Sequence, residues 1–147
     1  MKRVLRLLRA NPAEIRVFAT SIAVMGMMRV ALAAAPLQRV ILWMNEDHAR
    51  RRGKKPVGLD VQRAALRIVQ ASAYCPLPTT CLSRTLAAHL MMSRLGFTSV
   101  PRIGVRNANG HFAAHAWLEC QDGIVIGDAS PDGETYTPVQ SLERFFA

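Results

Sequence analysis

The residues able to do chemistry in this chain are a few cysteines, histidines and aspartates, and their surroundings separate them. A thiol is a good nucleophile at neutral pH only where something stabilises the thiolate, and a helix N-terminus does so through unpaired N–H groups and partial positive charge. Of the three cysteines, at 75, 81 and 120, Cys81 follows the capping pair Thr79-Thr80 at the head of a run of helix formers. A small buried helix residue is the other reading of that position. Cys75 precedes Pro76 in a loop with no helix end to activate it. What raises Cys81 above a packing residue is a partner. His115 stands in Ala113-Ala114-His115-Ala116-Trp117, a run of small residues in which an imidazole is conspicuous.

An orienting carboxylate follows from register. If Asp122-Gly123 is a two-residue turn, Gln121 pairs with Ile124, and counting outward sets Trp117 opposite Asp128. His115 and Asp128 are then diagonal neighbours on one face, with Cβ atoms ~7 Å apart. Asp122, at the turn, would be ~23 Å from His115 and is excluded. A one-residue slip in the turn would move Asp128 to the other face. Cys120 has the opposite strand parity to His115, His89 lies ~12 Å down the helix from Cys81, and His111 sits ~13 Å along the strand. His111-x-x-x-His115 cannot chelate from a strand and Cys75-x5-Cys81 is not a zinc spacing, so no metal or other cofactor is expected. No Gly-rich phosphate loop is present either. Cys81 as nucleophile, His115 as general base and Asp128 as orienter form a Cys–His–Asp triad in that chain order.

The elements that must position this triad read as α+β. Leu59–Ala73 is rich in helix formers, with Val61, Ala65, Ile68 and Val69 on one face. Tyr74–Thr80, with two prolines, is a loop, and a helix from Cys81 to about Leu95 stops at Gly96. Strand-like runs follow at Ser99–Arg106, His111–Cys120 and Ile124–Asp128, joined by Asn107-Ala108-Asn109-Gly110 and Gln121-Asp122-Gly123. The tail is turn-rich, with a short helix expected over Ser141–Phe146. Helices followed by an antiparallel meander define the fold class.

Charge divides the 147 residues unevenly. The net +9 belongs to residues 1–58, which hold 12 Lys/Arg against three acids, whereas residues 59–147 are balanced at seven each. The expected division is therefore a basic, apolar helical segment with its linker over 1–58, and a catalytic domain over 59–147. Such asymmetry suits an anionic partner, a membrane surface or plain solvation. Asn11-Pro12-Ala13-Glu14 reads as a helix start, with Ile15, Phe18, Ile22 and Met25 at helical spacing; Pro36 breaks it and Leu37–Met44 begins a short second helix. Glu46–Gly58, with Arg50-Arg51-Arg52-Gly53-Lys54-Lys55, reads as an exposed connector. The opening resembles a secretory signal in outline, but Arg29 interrupts it before Ala33-Ala34-Ala35. The uncharged run Val17–Met28 is 12 residues, short of the ~18 a transmembrane span needs. With an odd, irregular set of cysteines, a reducing, cytoplasmic compartment is expected.

The triad order and the helix–strand–strand arrangement resemble the papain-like and transglutaminase-like core, in which a nucleophile-bearing helix packs on a small antiparallel sheet. Cys81-Leu82-Ser83-Arg84-Thr85-Leu86, Leu95-Gly96-Phe97, Ile103-Gly104-Val105 and Phe112-Ala113-Ala114-His115-Ala116-Trp117-Leu118-Glu119 are more specifically similar to the lasso peptide biosynthesis B2 proteins. The resemblance implies a cysteine leader peptidase that frees a ribosomally made precursor of its leader. With no room before residue 59 for a leader-recognition domain, the chain resembles the split form. That form works with a separate B1-type leader-binding protein and hands the core peptide to an ATP-using cyclase. Arg84, one turn after Cys81, could support the thiolate or a substrate carboxylate, or simply be solvated. Trp117 could shield the His–Asp bond or be a core residue. Two other readings stay open: the same triad run as an acyl transferase or peptide ligase, and a non-catalytic basic module docking on membrane or nucleic acid.

Overall fold

The computed structural model describes residues 11–51, 58–123, 125–127 and 135–139. Four helices precede a four-stranded antiparallel sheet: α1 Pro12–Ala34, α2 Leu37–Arg51, α3 Val61–Ser72, α4 Cys81–Arg94, then β1 Ser99–Ala108, β2 His111–Cys120, β3 Val125–Ile126 and β4 Thr137–Pro138. The sheet order is β3-β2-β1-β4. This is the expected α+β arrangement, with two differences in the sheet.

Helix α1 starts as its sequence predicts, with the Asn11 side chain accepting from the Ala13 N–H at 3.1 Å and Pro12 in the first turn. Its buried stripe is Glu14, Val17, Ser21, Val24, Met25 and Met28, one position ahead of the expected one, a rotation of about 100°. The cause is polar. Glu14 accepts from Arg67 Nε of α3 at 2.9 Å, which turns Ile15 outward to 43% exposure. Among the described residues α1 is the one helix long and apolar enough to cross a membrane, which the 12-residue count above did not foresee. Val17, Val24, Met25 and Met28 of that stripe nevertheless lie in the protein core.

Ahead of Pro36 the backbone turns extended at Ala35, and α2 then runs through Arg51 instead of stopping near Met44. Residues 46–51 are therefore helix, not connector. Asp47 accepts from Arg51 one turn on and from Arg94 of α4, each at 3.2 Å, so this charged end is tied down. Burial raises the Asp47 carboxyl, but the two arginines outweigh it and hold the group below its usual range. Residues 52–57, like the N-terminal ten and the expected tail helix, lie outside the described residues.

Asp60 caps α3 by accepting the Arg63 N–H at 2.8 Å, and Val61, Ala64, Ala65, Ile68 and Ala71 form its buried face. Helix α4 ends in a Schellman turn: Gly96 at φ +83° lets its N–H reach Ser93 O and the Phe97 N–H reach Met92 O. Helices α1 to α4 share one core with the sheet face bearing Leu118, Cys120 and Ile126.

The β1–β2 hairpin closes through Asn109 and Gly110, both at positive φ, a type I′ turn that fixes the register Ala108↔His111. The next turn corrects the expectation. Gln121–Gly123 form a three-residue 3-10 turn with Asp122 at φ 62°, and the pairs are Glu119↔Val125 and Leu118↔Ile126, one residue from the register above. The second difference is β4, which pairs with β1 (Val105↔Thr137, Gly104↔Pro138) on the edge where proline is tolerated.

Candidate active site

Thr80 makes α4 begin where it does. Its hydroxyl accepts the Ser83 N–H at 3.2 Å while Ser83 Oγ accepts the Thr80 N–H at 2.9 Å, a reciprocal capping box. The first helical bond is Arg84 N–H to Thr80 C=O at 3.1 Å, so the N–H groups of Cys81 and Leu82 precede the helical ladder. Cys81, half-buried and free of any disulfide, thus lies at the positive end of the helix.

Cys81 lines a cleft of about 270 Å³ together with His115. Helix α4 also contributes Arg84 and Thr85 to its wall, α1 contributes Met25, and α3 contributes Ile68, Val69 and Ser72. Ala116, Ile126 and Gly127 complete the sheet side. Val69, placed by its spacing on one face with Val61, Ala65 and Ile68, is 45% exposed along this cleft while those three are buried. Thiol and imidazole, 34 residues apart, are brought to one opening by the helix end and the β2 strand.

Strand β2 sets His115 directly opposite Gly104 of β1. Its ring stacks on Trp117 at 6.3 Å between centroids and meets the Tyr136 ring at 5.5 Å. Trp117 is 5% exposed and donates its Nε1–H to Glu119 Oε1 at 3.2 Å, so it packs beside the imidazole and is a buried residue at once. Arg84 is exposed on the cleft wall one turn from Cys81.

Asp128 lies outside the described residues. The register argument that paired it with His115 does not hold, because the turn is one residue longer than assumed. Strand alternation also stops short of it, since Gly127 at φ +81° leaves the extended conformation. Its candidacy rests on chain order and on the resemblance.

The remaining thiols and imidazoles sit elsewhere. Cys120 faces the core, and burial pushes its thiol up to about 11. Cys75 is half-buried in the loop before α4. His89 bonds Ser99 Oγ through Nδ1 at 2.9 Å, and burial, with a smaller contribution from His48, pushes it down to about 4. His111 is exposed at the hairpin mouth. No group of three or more metal-ligating side chains occurs among the described residues. Two residues at the site escaped the sequence reading. Gly104 carried a signal, since a glycine inside a strand marks close approach, but Tyr136, in a turn-rich tail, carried none.

A family model described as the transglutaminase-like superfamily matches residues 24–141. The chain belongs to this superfamily. No curated protein and no solved structure matches it. The transglutaminase-like match begins inside α1 and spans Cys81, His115 and Asp128. Membership supports cysteine-peptidase or acyl-transfer chemistry in general, and this transglutaminase-like chain carries the thiol and the imidazole in one cleft, as that chemistry requires.

Proposed function

We propose that the protein is a cytoplasmic leader peptidase of lasso peptide maturation, hydrolysing the bond between leader and core. The observation that carries the reading is the placement of Cys81, on a capped helix N-terminus, in one cleft with His115. His115 takes the Cys81 thiol proton, and the thiolate attacks the junction carbonyl and forms a tetrahedral oxyanion, for which the Cys81 N–H is a donor. Collapse breaks the C–N bond as His115 gives its proton to the departing amine of the core peptide. His115 then takes a proton from water, whose oxygen attacks the thioester, releasing the leader carboxylate and restoring the thiol. Asp128 orients the imidazole in this scheme. The apolar wall of Met25, Ile68 and Ile126 suits an uncharged side chain of the substrate, and Arg84 offers the wall a cation.

The partners in this reading are the precursor peptide, a separate B1-type leader-recognition protein and the lasso cyclase that consumes the core. Acyl transfer to an amine uses the same site and differs in what resolves the thioester. Mass spectrometry of the precursor incubated with the protein, with and without the leader-binding partner, separates the two. Hydrolysis adds one water across the fragments, whereas transfer joins the leader acyl group to the amine. An uncleaved precursor under both conditions would reject the peptidase.

A further inference from the structure

We propose that Gly104, Trp117 and Tyr136 form a cage that fixes the orientation of the His115 imidazole, which makes the tail strand β4 a working part of the catalytic apparatus. This rests on His115 being the general base. Gly104 faces His115 across the β1–β2 ladder. A Cβ on Gly104 would lie 2.7 Å from the Tyr136 Cβ and 2.8 Å and 2.9 Å from Trp117 ring carbons. The space left by the missing side chain is therefore filled by the two aromatic residues that flank the imidazole. One lies nearly parallel to it, at 18°, and the other is tilted by 45°. Two walls at different angles restrict rotation about both χ1 and χ2, as a single stacked ring would not.

Each wall is itself held. Trp117 donates to Glu119 Oε1, and Glu119 Oε2 accepts from Arg102 Nε at 3.0 Å. Tyr136 is delivered by the β4 pairs and by the Val139 N–H bonded to Ile103 O at 2.8 Å, and the Arg106 guanidinium lies 5.3 Å from its ring centroid. Both aromatics are nearly buried, at 5% and 7% exposure. Trp117, Tyr136 and Glu119 are positioning residues, since they act through His115.

Three χ1 wells and two broad χ2 orientations set about one sixth as the lowest share of time the imidazole could spend in the productive one, and its other contacts raise that share. Opening the cage should therefore lower kcat by up to about sixfold while leaving KM within about twofold, because the substrate wall is untouched. The test compares Tyr136→Leu, Tyr136→Phe and His115→Ala in a Cys75→Ser background. The readouts are kcat and KM on a junction peptide, and the rate of Cys81 alkylation by iodoacetamide across pH 5–9. Tyr136→Leu should show the loss in kcat and an alkylation profile shifted towards that of His115→Ala, and Tyr136→Phe, which keeps the ring, should restore both. If Tyr136→Leu matches the wild type while His115→Ala does not, the cage is overturned and the Cys–His site stands. If His115→Ala itself alkylates like the wild type, both fall. Should Tyr136→Leu fail to fold, the three-bond couplings of His115 in the unmodified background decide: a single χ1 rotamer supports the cage, and averaged couplings overturn it.

Discussion

Replacing Arg67 by methionine removes the anchor between α1 and α3, the two helices that supply the Met25 and Ile68 side of the cleft. Glu14 is 6% exposed and takes both Arg67 Nε, at 2.9 Å, and Arg67 Nη2, at 2.5 Å. Among the described residues its other oxygen has only Arg63, at 3.5 Å and on a side chain 64% exposed. Without Arg67 the carboxylate is left buried and nearly unpaired, which costs about 3–5 kcal/mol. The residual Arg63 contact argues for the lower end, about 3 kcal/mol, a large part of the ~5–15 kcal/mol that stabilises a domain. Removing both charges, as Glu14→Leu with Arg67→Met, should return stability to within about 1 kcal/mol of the parent. Urea unfolding followed by circular dichroism at pH 7 reads all three variants, and the double-mutant cycle should show a coupling of at least about 2 kcal/mol. The same coupling should survive an increase in salt, since a buried pair is screened far less than a surface one. A loss under about 1 kcal/mol in Arg67→Met, or an additive cycle, would refute the account of why α1 packs on the Glu14 stripe.

Three further outcomes follow from the site and its surroundings. Cys81→Ala should abolish precursor cleavage with an unchanged thermal midpoint, and His115→Ala should be equally inactive; cleavage surviving in either, measured by mass, removes that residue from the mechanism. Asp128→Asn should retain a small residual rate because the imidazole remains, whereas Asp122→Asn, in the turn, should cleave normally; the reverse result would reject Asp128 as orienter. His89, held neutral down to about pH 4 in the fold, takes a proton more readily when unfolded. Stability should be full above about pH 6.5 and decline as pH falls towards 4, by about 2 kcal/mol at pH 5. His89→Gln should remove most of that slope in urea midpoints measured against pH, and an unchanged slope would place its origin elsewhere.

What could be read in advance was local. Thr80 followed by Cys81 starts a helix, and Gly96 stops it, through bonds made within one turn, so the position of the nucleophile was legible from its neighbours alone. The first hairpin was located in the same way by Asn107-Ala108-Asn109-Gly110, although only Asn109 and Gly110 form the turn and β1 runs two residues further than expected, to Ala108. Where a partner far along the chain decides, the reading failed. The charged end of α2 looked like linker because Arg94, which holds Asp47, is 47 residues away. The α1 stripe was offset because Glu14 belongs to Arg67, 53 residues on. Strand β4 spans two residues, one of them proline, and has no periodicity to detect.

The turn at Gln121–Gly123 shows how a register is settled when local chemistry permits two. Asp-Gly suits a two-residue hairpin, and it equally fills a three-residue turn in which both residues take positive φ, as Asp122 and Gly123 do. Ile124-Val125-Ile126 is apolar throughout, so alternation could not choose between them. Burial does. In the two-residue register Ile126 would face Glu119, on the half-exposed side of the sheet. In the observed one it lies opposite Leu118, which is fully buried, and is itself only 7% exposed in the core. Placing Ile126 opposite Leu118, where the two-residue register would put Gly127, favours the observed register by about 1.5–3 kcal/mol, enough to override a turn preference. The core face of β2, not the dipeptide at the turn, thus decides where the chain runs on to Gly127 at the cleft. An Ile126→Thr substitution, which weakens that preference, is the place where the register and the site beyond it become separable.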